Sequence, residues 1–265
     1  MSVHAVLGAT GGVGSSILRS LLSSRIPDLR IHILVRSKIK LLQAFPQLTT
    51  KLSATITIFE APISEEDSLQ ACIKGASTIY VCVATNHASP NVEIAFTMAA
   101  GLVAALEQLR KEQRSEYKPP VVLFNRAMPL NPNIQMPIPG LVKRFMVFAV
   151  RPIYDDLLKA GTLYAIAEKD GLLTCITADP PGLMDSMGTK ATGYKFVQRG
   201  TATASMNYAD VGPALVELGQ RHEEFGGKIV GLSATGPVRI VVFANVWILL
   251  LGLIARLNFV LRSEK

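Results

Sequence analysis

The chain has 265 residues, 49% of them hydrophobic and 18% charged, with a formal net charge of +7. So low a charge excludes a disordered chain, and three cysteines without CxxC spacing exclude a disulfide scaffold and a cysteine zinc site. The basic excess contains no block of like charge and so indicates no nucleic-acid partner; the positive mean hydropathy of +0.33 asks instead for a membrane or an unusually apolar pocket.

Val3–Leu7 reads as a short buried strand. No charged and apolar leader precedes it, which together with the cysteine usage predicts a reducing, cytoplasmic location. Residues 15–23 read as a helix, Ile31–Val35 and Ala54–Glu60 as strands, and Thr78–Val83 as a fourth strand. A long amphipathic helix, Val92–Lys111, then leads to a fifth strand, Val121–Phe124. Strands that alternate with helices predict a doubly wound, Rossmann-like α/β fold with a parallel sheet covered on both faces. Pro129, Pro132, Pro137 and Pro139 interrupt the pattern, so residues 126–150 are expected to form a proline-rich loop or lid. Alternation resumes with a helix over Pro152–Glu168, a strand over Leu173–Thr177, a helix over Ala209–Gln220 and a strand over Ile229–Leu232. One domain spanning 1–265 is the simplest organisation.

Gly8-Ala9-Thr10-Gly11-Gly12-Val13-Gly14 sits between the first strand and the first helix. Glycines in that context make a tight turn, let the backbone approach a pyrophosphate, and bring helix and strand close together. The phosphates then rest on the positive end of the helix. No Gly-Lys-Ser/Thr follows, which excludes a Walker loop. The second strand ends in Arg36-Ser37-Lys38, where an NAD-binding chain would carry an acid; two cations and a hydroxyl suit a 2′-phosphate and favour NADP(H).

GATGGVG at the N-terminus, LVRS after the second strand and VCVATN after the fourth resemble the atypical short-chain dehydrogenase/reductases, in particular their NmrA-like branch. Ile153–Leu157 and Pro180-Pro181-Gly182 are similar to NAD(P)-binding proteins of fungal secondary-metabolite pathways. The resemblance implies that Gly8, Thr10, Gly11, Val13 and Gly14, with Gly12 in the same turn, line the pyrophosphate and that Arg36 meets the 2′-phosphate. It places Ala84 and Thr85 beside the ribose, and Pro181 and Gly182 at the edge of the nicotinamide pocket. The family's Asp after the third strand is missing, since Ala61-Pro62-Ile63 follows Glu60; an adenine contact would fall to backbone groups.

Reductases of this superfamily use a Tyr proton donor with a Lys four residues later and a Ser from the fifth strand. Here Leu158 stands four residues after Tyr154, and Lys159 comes one residue late, rotated by about 140° on a regular helix. Asn125-Arg126-Ala127 replaces the serine. Tyr154, Asn125 and Lys159 are the catalytic candidates, each with a plainer alternative. Tyr154 can pack the helix start, Asn125 can end the strand, and Lys159 can pair with Asp155 or Asp156. Either Asp can act as a base if buried, or stabilise a helix N-terminus. His87 follows the fourth strand directly. Tyr208 and Asp210 resemble a family segment on the substrate side, and Asp210 can equally cap the helix that follows. No metal ligand cluster is expected.

Within an apolar segment over 238–262, Ile240–Ala255 is uncharged throughout, bracketed by Arg239 and Arg256. It is short for a span of about twenty residues, which leaves a helix packed on the core or on a second copy, an interfacial anchor, and a true span. The function expected from the resemblance is NADPH-dependent reduction or dehydrogenation of an apolar small metabolite. A non-redox isomerase, cyclase or dehydratase and a non-catalytic NADP-binding sensor are the alternatives.

Overall fold

Side chains along a strand point alternately to the two faces of its sheet, and the first strand, β1 (Ser2–Leu7), buries both sets. Val3, Ala5 and Leu7 enter one core layer and Val6 the other. Such a strand needs helices on both faces. The computed structural model, which describes residues 2–50, 55–85, 92–185 and 188–238, supplies them. β1 is followed by α1 (Gly12–Ser23), β2 (Leu29–Val35), α2 (Lys38–Ala44), α3 (Gln47–Thr50), β3 (Ile56–Glu60) and α4 (Glu66–Ile73). Next come β4 (Thr78–Val81), α5 (Ile94–Gln113), β5 (Val121–Asn125), β6 (Ile134–Gln135), α6 (Gly140–Ala149) and α7 (Arg151–Lys169). The remainder is β7 (Thr174–Asp179), β8 (Gly182–Met184), β9 (Tyr194–Val197), β10 (Gly200–Thr201), β11 (Ser205–Asn207), α8 (Tyr208–Gln220), α9 (His222–Phe225) and β12 (Ile229–Ala234).

The main sheet has the order β3-β2-β1-β4-β5-β7-β12-β9, parallel except for β9 at the edge. Its order reverses between β1 and β4, the switch point at which ligands bind beyond the carboxyl ends of doubly wound strands. α4, α5 and α7 contribute buried residues to one core layer, and α1, α2 and α8 to the other. Asp156 of α7 joins two helices: its buried carboxylate accepts from the amides of Ala95 and Phe96, both at 2.9 Å, satisfying the first turn of α5.

The principal strands fall within a few residues of expectation, whereas the stretch expected as a loop or lid holds more structure. β6 lies between Pro132 and Pro137 and pairs with β10. Pro139 then serves as N-cap of α6, a place where its missing N–H costs nothing. α6 leaves Leu141, Val142, Phe145 and Phe148 exposed. A small cluster of Met128, Ile134, Val197 and Ala202 fixes this segment to β9. Among the described residues no helix is long and apolar enough to cross a membrane. The apolar stretch over 240–255 and His87 lie outside the described residues.

Candidate active site

The carboxyl ends of β1, β2, β4, β5 and β7 form one edge, and the candidate cofactor residues lie along it. Gly8 leaves β1 with φ +91°, a left-handed conformation that favours glycine. A Cβ there would stand 3.0 Å from the Cys82 carbonyl and 3.1 Å from Val83 Cγ2, so the turn runs directly against the residues that follow β4, which lead on to Ala84 and Thr85. Gly14 packs on the Gly8 carbonyl and Ala9 with no room for a side chain. Gly11 is the N-cap of α1 and donates its own amide to the Gly8 carbonyl at 3.0 Å, but no side chain caps the helix. Thr10, Gly11 and Gly12 are exposed at its mouth and Val13 is half-buried. A cradle of backbone at an uncapped helix N-terminus fits a diphosphate.

At the end of β2, Arg36 is exposed and has no ion pair among the described residues. Ser37 and Lys38 are already engaged in part. The Ser37 hydroxyl caps α2 by accepting from the Lys40 amide at 3.3 Å, and the Lys38 amide donates to Glu60 Oε1 at 2.8 Å. Glu60, at the end of β3, therefore holds the loop that carries the cations.

At the end of β5, the buried Oδ1 of Asn125 has no hydrogen-bond partner among the described residues, an arrangement that costs about 1–3 kcal/mol unless a ligand or water satisfies it. Next to it, Arg126 forms a bidentate pair with Asp179 of β7, Nε–Oδ1 at 2.8 Å and Nη2–Oδ2 at 2.7 Å. Asn131 Nδ2 donates to the same carboxylate at 3.0 Å. Burial pushes the Asp179 carboxyl up from its ordinary value, while Arg126 and Asn131 pull it down. This pair went unrecognised in the sequence; its signal was a charge at the end of each of two adjoining apolar strands. It ties the end of β5 to the turn in which Pro181 is buried and Gly182 exposed.

Tyr154 lies in the first turns of α7. That helix runs back from this edge to the start of β7, so its first turn stands over the strand ends. The Tyr154 ring packs against the core layer containing Phe124 and Leu157. Its hydroxyl makes no hydrogen bond among the described residues, and burial pushes the phenol up to about 12. Lys159 is not brought to it. Its ammonium meets Glu93 Oε1 at 3.4 Å, both side chains more than half exposed, and lies 6.0 Å from the Phe96 ring centroid. This also corrects the expected pairing of Lys159 with Asp155 or Asp156, because Asp155 pairs with Arg151 at 3.3 Å and Asp156 is taken by α5. Asp210 does not cap α8; it is buried and accepts from the amides of Thr192 and Gly193 and the Thr192 hydroxyl at 2.9–3.0 Å. Among the described residues there is no metal-binding cluster.

Residues 2–107 match the model of the NmrA-like family. Averufin oxidase A of Aspergillus flavus is 39% identical over 239 residues, covering 90% of this chain and 85% of that one. The chain belongs to the NmrA-like family. A second relative, averufin oxidase stcO of Emericella nidulans, is 38% identical over 267 residues, covering 95% of this chain and 87% of its own. The NmrA-like chain also shares its fold, at 15% identity and a TM-score of 0.64, with a wide-type short-chain dehydrogenase/reductase of Veillonella parvula solved with NADP, over 89% of this chain and 95% of that one. These relationships make it an enzyme of the oxidoreductase class on an NAD(P)-binding fold.

Proposed function

We propose that this NmrA-like protein is an NADP(H)-dependent oxidoreductase acting on a carbonyl or carbinol of an apolar, polyketide-like metabolite. The observation that carries the reading is the unpartnered, buried Oδ1 of Asn125 on the same edge as the glycine-rich cradle. Exposed and unpaired Arg36 favours a 2′-phosphate over a bare ribose. The names of the relatives, averufin oxidases, support a metabolite of that kind as substrate.

A bound nicotinamide supplies or accepts the hydride. The protein's own part is to orient the substrate and manage a proton. Asn125 Oδ1 accepts a hydrogen bond from a substrate hydroxyl, which relieves its own desolvation. Tyr154 donates to the reacting oxygen. With no lysine beside it and burial pushing its pKa up to about 12, the phenol stays protonated at neutral pH and works as the proton donor when a carbonyl is reduced. The Arg126–Asp179 pair holds the strand ends, and so Asn125, in place.

The test follows NADPH absorbance with purified protein, averufin and other polyketide carbonyl compounds. Consumption of NADPH with substrate, reduced at least tenfold in Tyr154→Phe, is the expected result. Product formed with the cofactor left unchanged would sink the redox reading in favour of isomerisation or elimination on the same site. Arg36→Ala should weaken NADPH at least tenfold and leave NADH unaffected.

A further inference from the structure

Gly12 has a neighbour that no glycine motif requires. A Cβ on Gly12 would stand 2.5 Å from Cε1 and 2.9 Å from Cζ of Tyr208, the first residue of α8. Gly12 is the first residue of α1, so this ring packs at the mouth of that helix, with Cζ, the atom that bears the hydroxyl, beside the phosphate cradle. The ring is placed there by contacts between two helices. The Ser16 hydroxyl of α1 donates to the Tyr208 carbonyl and accepts from the Gly212 amide at 3.0 Å, and Gly212 packs on the Ser16 carbonyl without room for a side chain. A strap of residues 188–193 is fastened alongside. Asp210 binds the amides of Thr192 and Gly193, and Asn207 Nδ2 donates to the Lys190 carbonyl at 2.8 Å. Yet the Tyr208 hydroxyl, on a half-buried ring, has no hydrogen bond among the described residues. The phenol stays neutral, because burial raises its pKa, and so it remains a donor.

We infer that Tyr208 is a ligand of the dinucleotide's diphosphate: its hydroxyl donates to a phosphate oxygen held at the N-terminus of α1. The inference rests on the dinucleotide-binding reading of the glycine-rich turn. The second half of the chain thereby supplies a side-chain donor to a cradle that the first half builds from backbone alone. Gly12 is glycine to admit this ring, a role separate from the turn-making of Gly8 and the tight packing of Gly14. Asp210 and Asn207 are positioning residues that fix the strap beside the ring.

Tyr208→Phe tests this, since it keeps the ring on which Gly12 packs. Binding of NADP⁺ is measured by isothermal titration, and that of adenosine 2′-phosphate, which lacks the diphosphate, by ligand-observed NMR. NADP⁺ should bind about tenfold more weakly to the variant, the cost of one hydrogen bond to a charged group, with adenosine 2′-phosphate unchanged and Tm unchanged. No loss for NADP⁺, or an equal loss for both ligands, would overturn the assignment. A wild-type protein that binds neither ligand would instead refute the dinucleotide-binding reading and take the inference with it.

Discussion

At the N-terminal edge of the sheet, where β1 and β4 begin, the polar side chains form a closed set. Ser2 Oγ lies 2.9 Å from His4 Nε2 and 3.1 Å from Ser77 Oγ, His4 Nδ1 lies 3.0 Å from the Tyr80 hydroxyl, and Ser77 donates to the Val3 carbonyl at 3.0 Å. At the C-terminal edge, Asn125 Oδ1 and the hydroxyls of Tyr154 and Tyr208 have no such partners among the described residues. The N-terminal edge also has a groove of about 820 Å³, lined in part by Ser2, His4, Ser77, Tyr117 and His222. There Tyr117 donates to the Leu172 carbonyl at 2.7 Å, and His222 Nδ1 lies 3.2 Å from the Gly219 carbonyl. The polar groups just named are satisfied by the protein and have little to offer a polar ligand; an edge with unsatisfied buried groups does. Between these two edges, satisfaction and not volume separates scaffold from site.

The comparison can be broken first at Arg126–Asp179, where the C-terminal edge is as tightly paired as the other. Arg126→Ala leaves a buried carboxylate uncompensated and should cost about 3–5 kcal/mol in chemical denaturation. A loss below about 1 kcal/mol would mean that the pair does not hold the strand ends.

The N-terminal edge is tested by pH. Burial lowers His4 from 6.5 to about 4, so the native state keeps it neutral where the unfolded chain binds a proton. The unfolded state binds more protons between those two values, and stability therefore falls as pH drops from about 6.5 to about 4, by about 3 kcal/mol in all. His4→Gln should remove that part of the slope. Identical slopes for the two proteins would show that His4 is solvated and the network open.

How much of this was legible in the sequence follows from the range of each interaction. β4, β5 and β7 could be read because a strand buried on both faces is a continuous apolar run. The glycine turn could be read because its steric demands fall within seven consecutive residues. β6, β8, β10 and β11, with two or three residues each, are made by distant backbone partners and have no periodicity of their own. α6 was hidden because its apolar residues stay outside. The side-chain pairings were hidden for the same reason of distance: Arg126 finds Asp179, Lys159 finds Glu93, and Tyr208 finds Gly12 only once the crossovers have been made. Local spacing offered Lys159 its neighbours Asp155 and Asp156, and the fold had already given both of them other partners.

Tyr164 sets the smallest and sharpest test. It is fully buried against Phe124, with ring centroids 5.1 Å apart, and its hydroxyl has no partner among the described residues either. It is ten residues along α7 from Tyr154, about 15 Å below the strand ends, so no substrate at that edge can reach it. An unsatisfied group there is a cost without a use. Tyr164→Phe should therefore raise stability by about 1 kcal/mol and leave turnover unchanged. Asn125→Ala should do the reverse, cutting turnover at least tenfold while stability moves by less than about 1 kcal/mol. If Tyr164→Phe instead lowers stability, that hydroxyl is hydrogen-bonded to enclosed water. An unpartnered oxygen would then mark a ligand only where it also stands at the strand ends, and position would carry more of the argument than satisfaction.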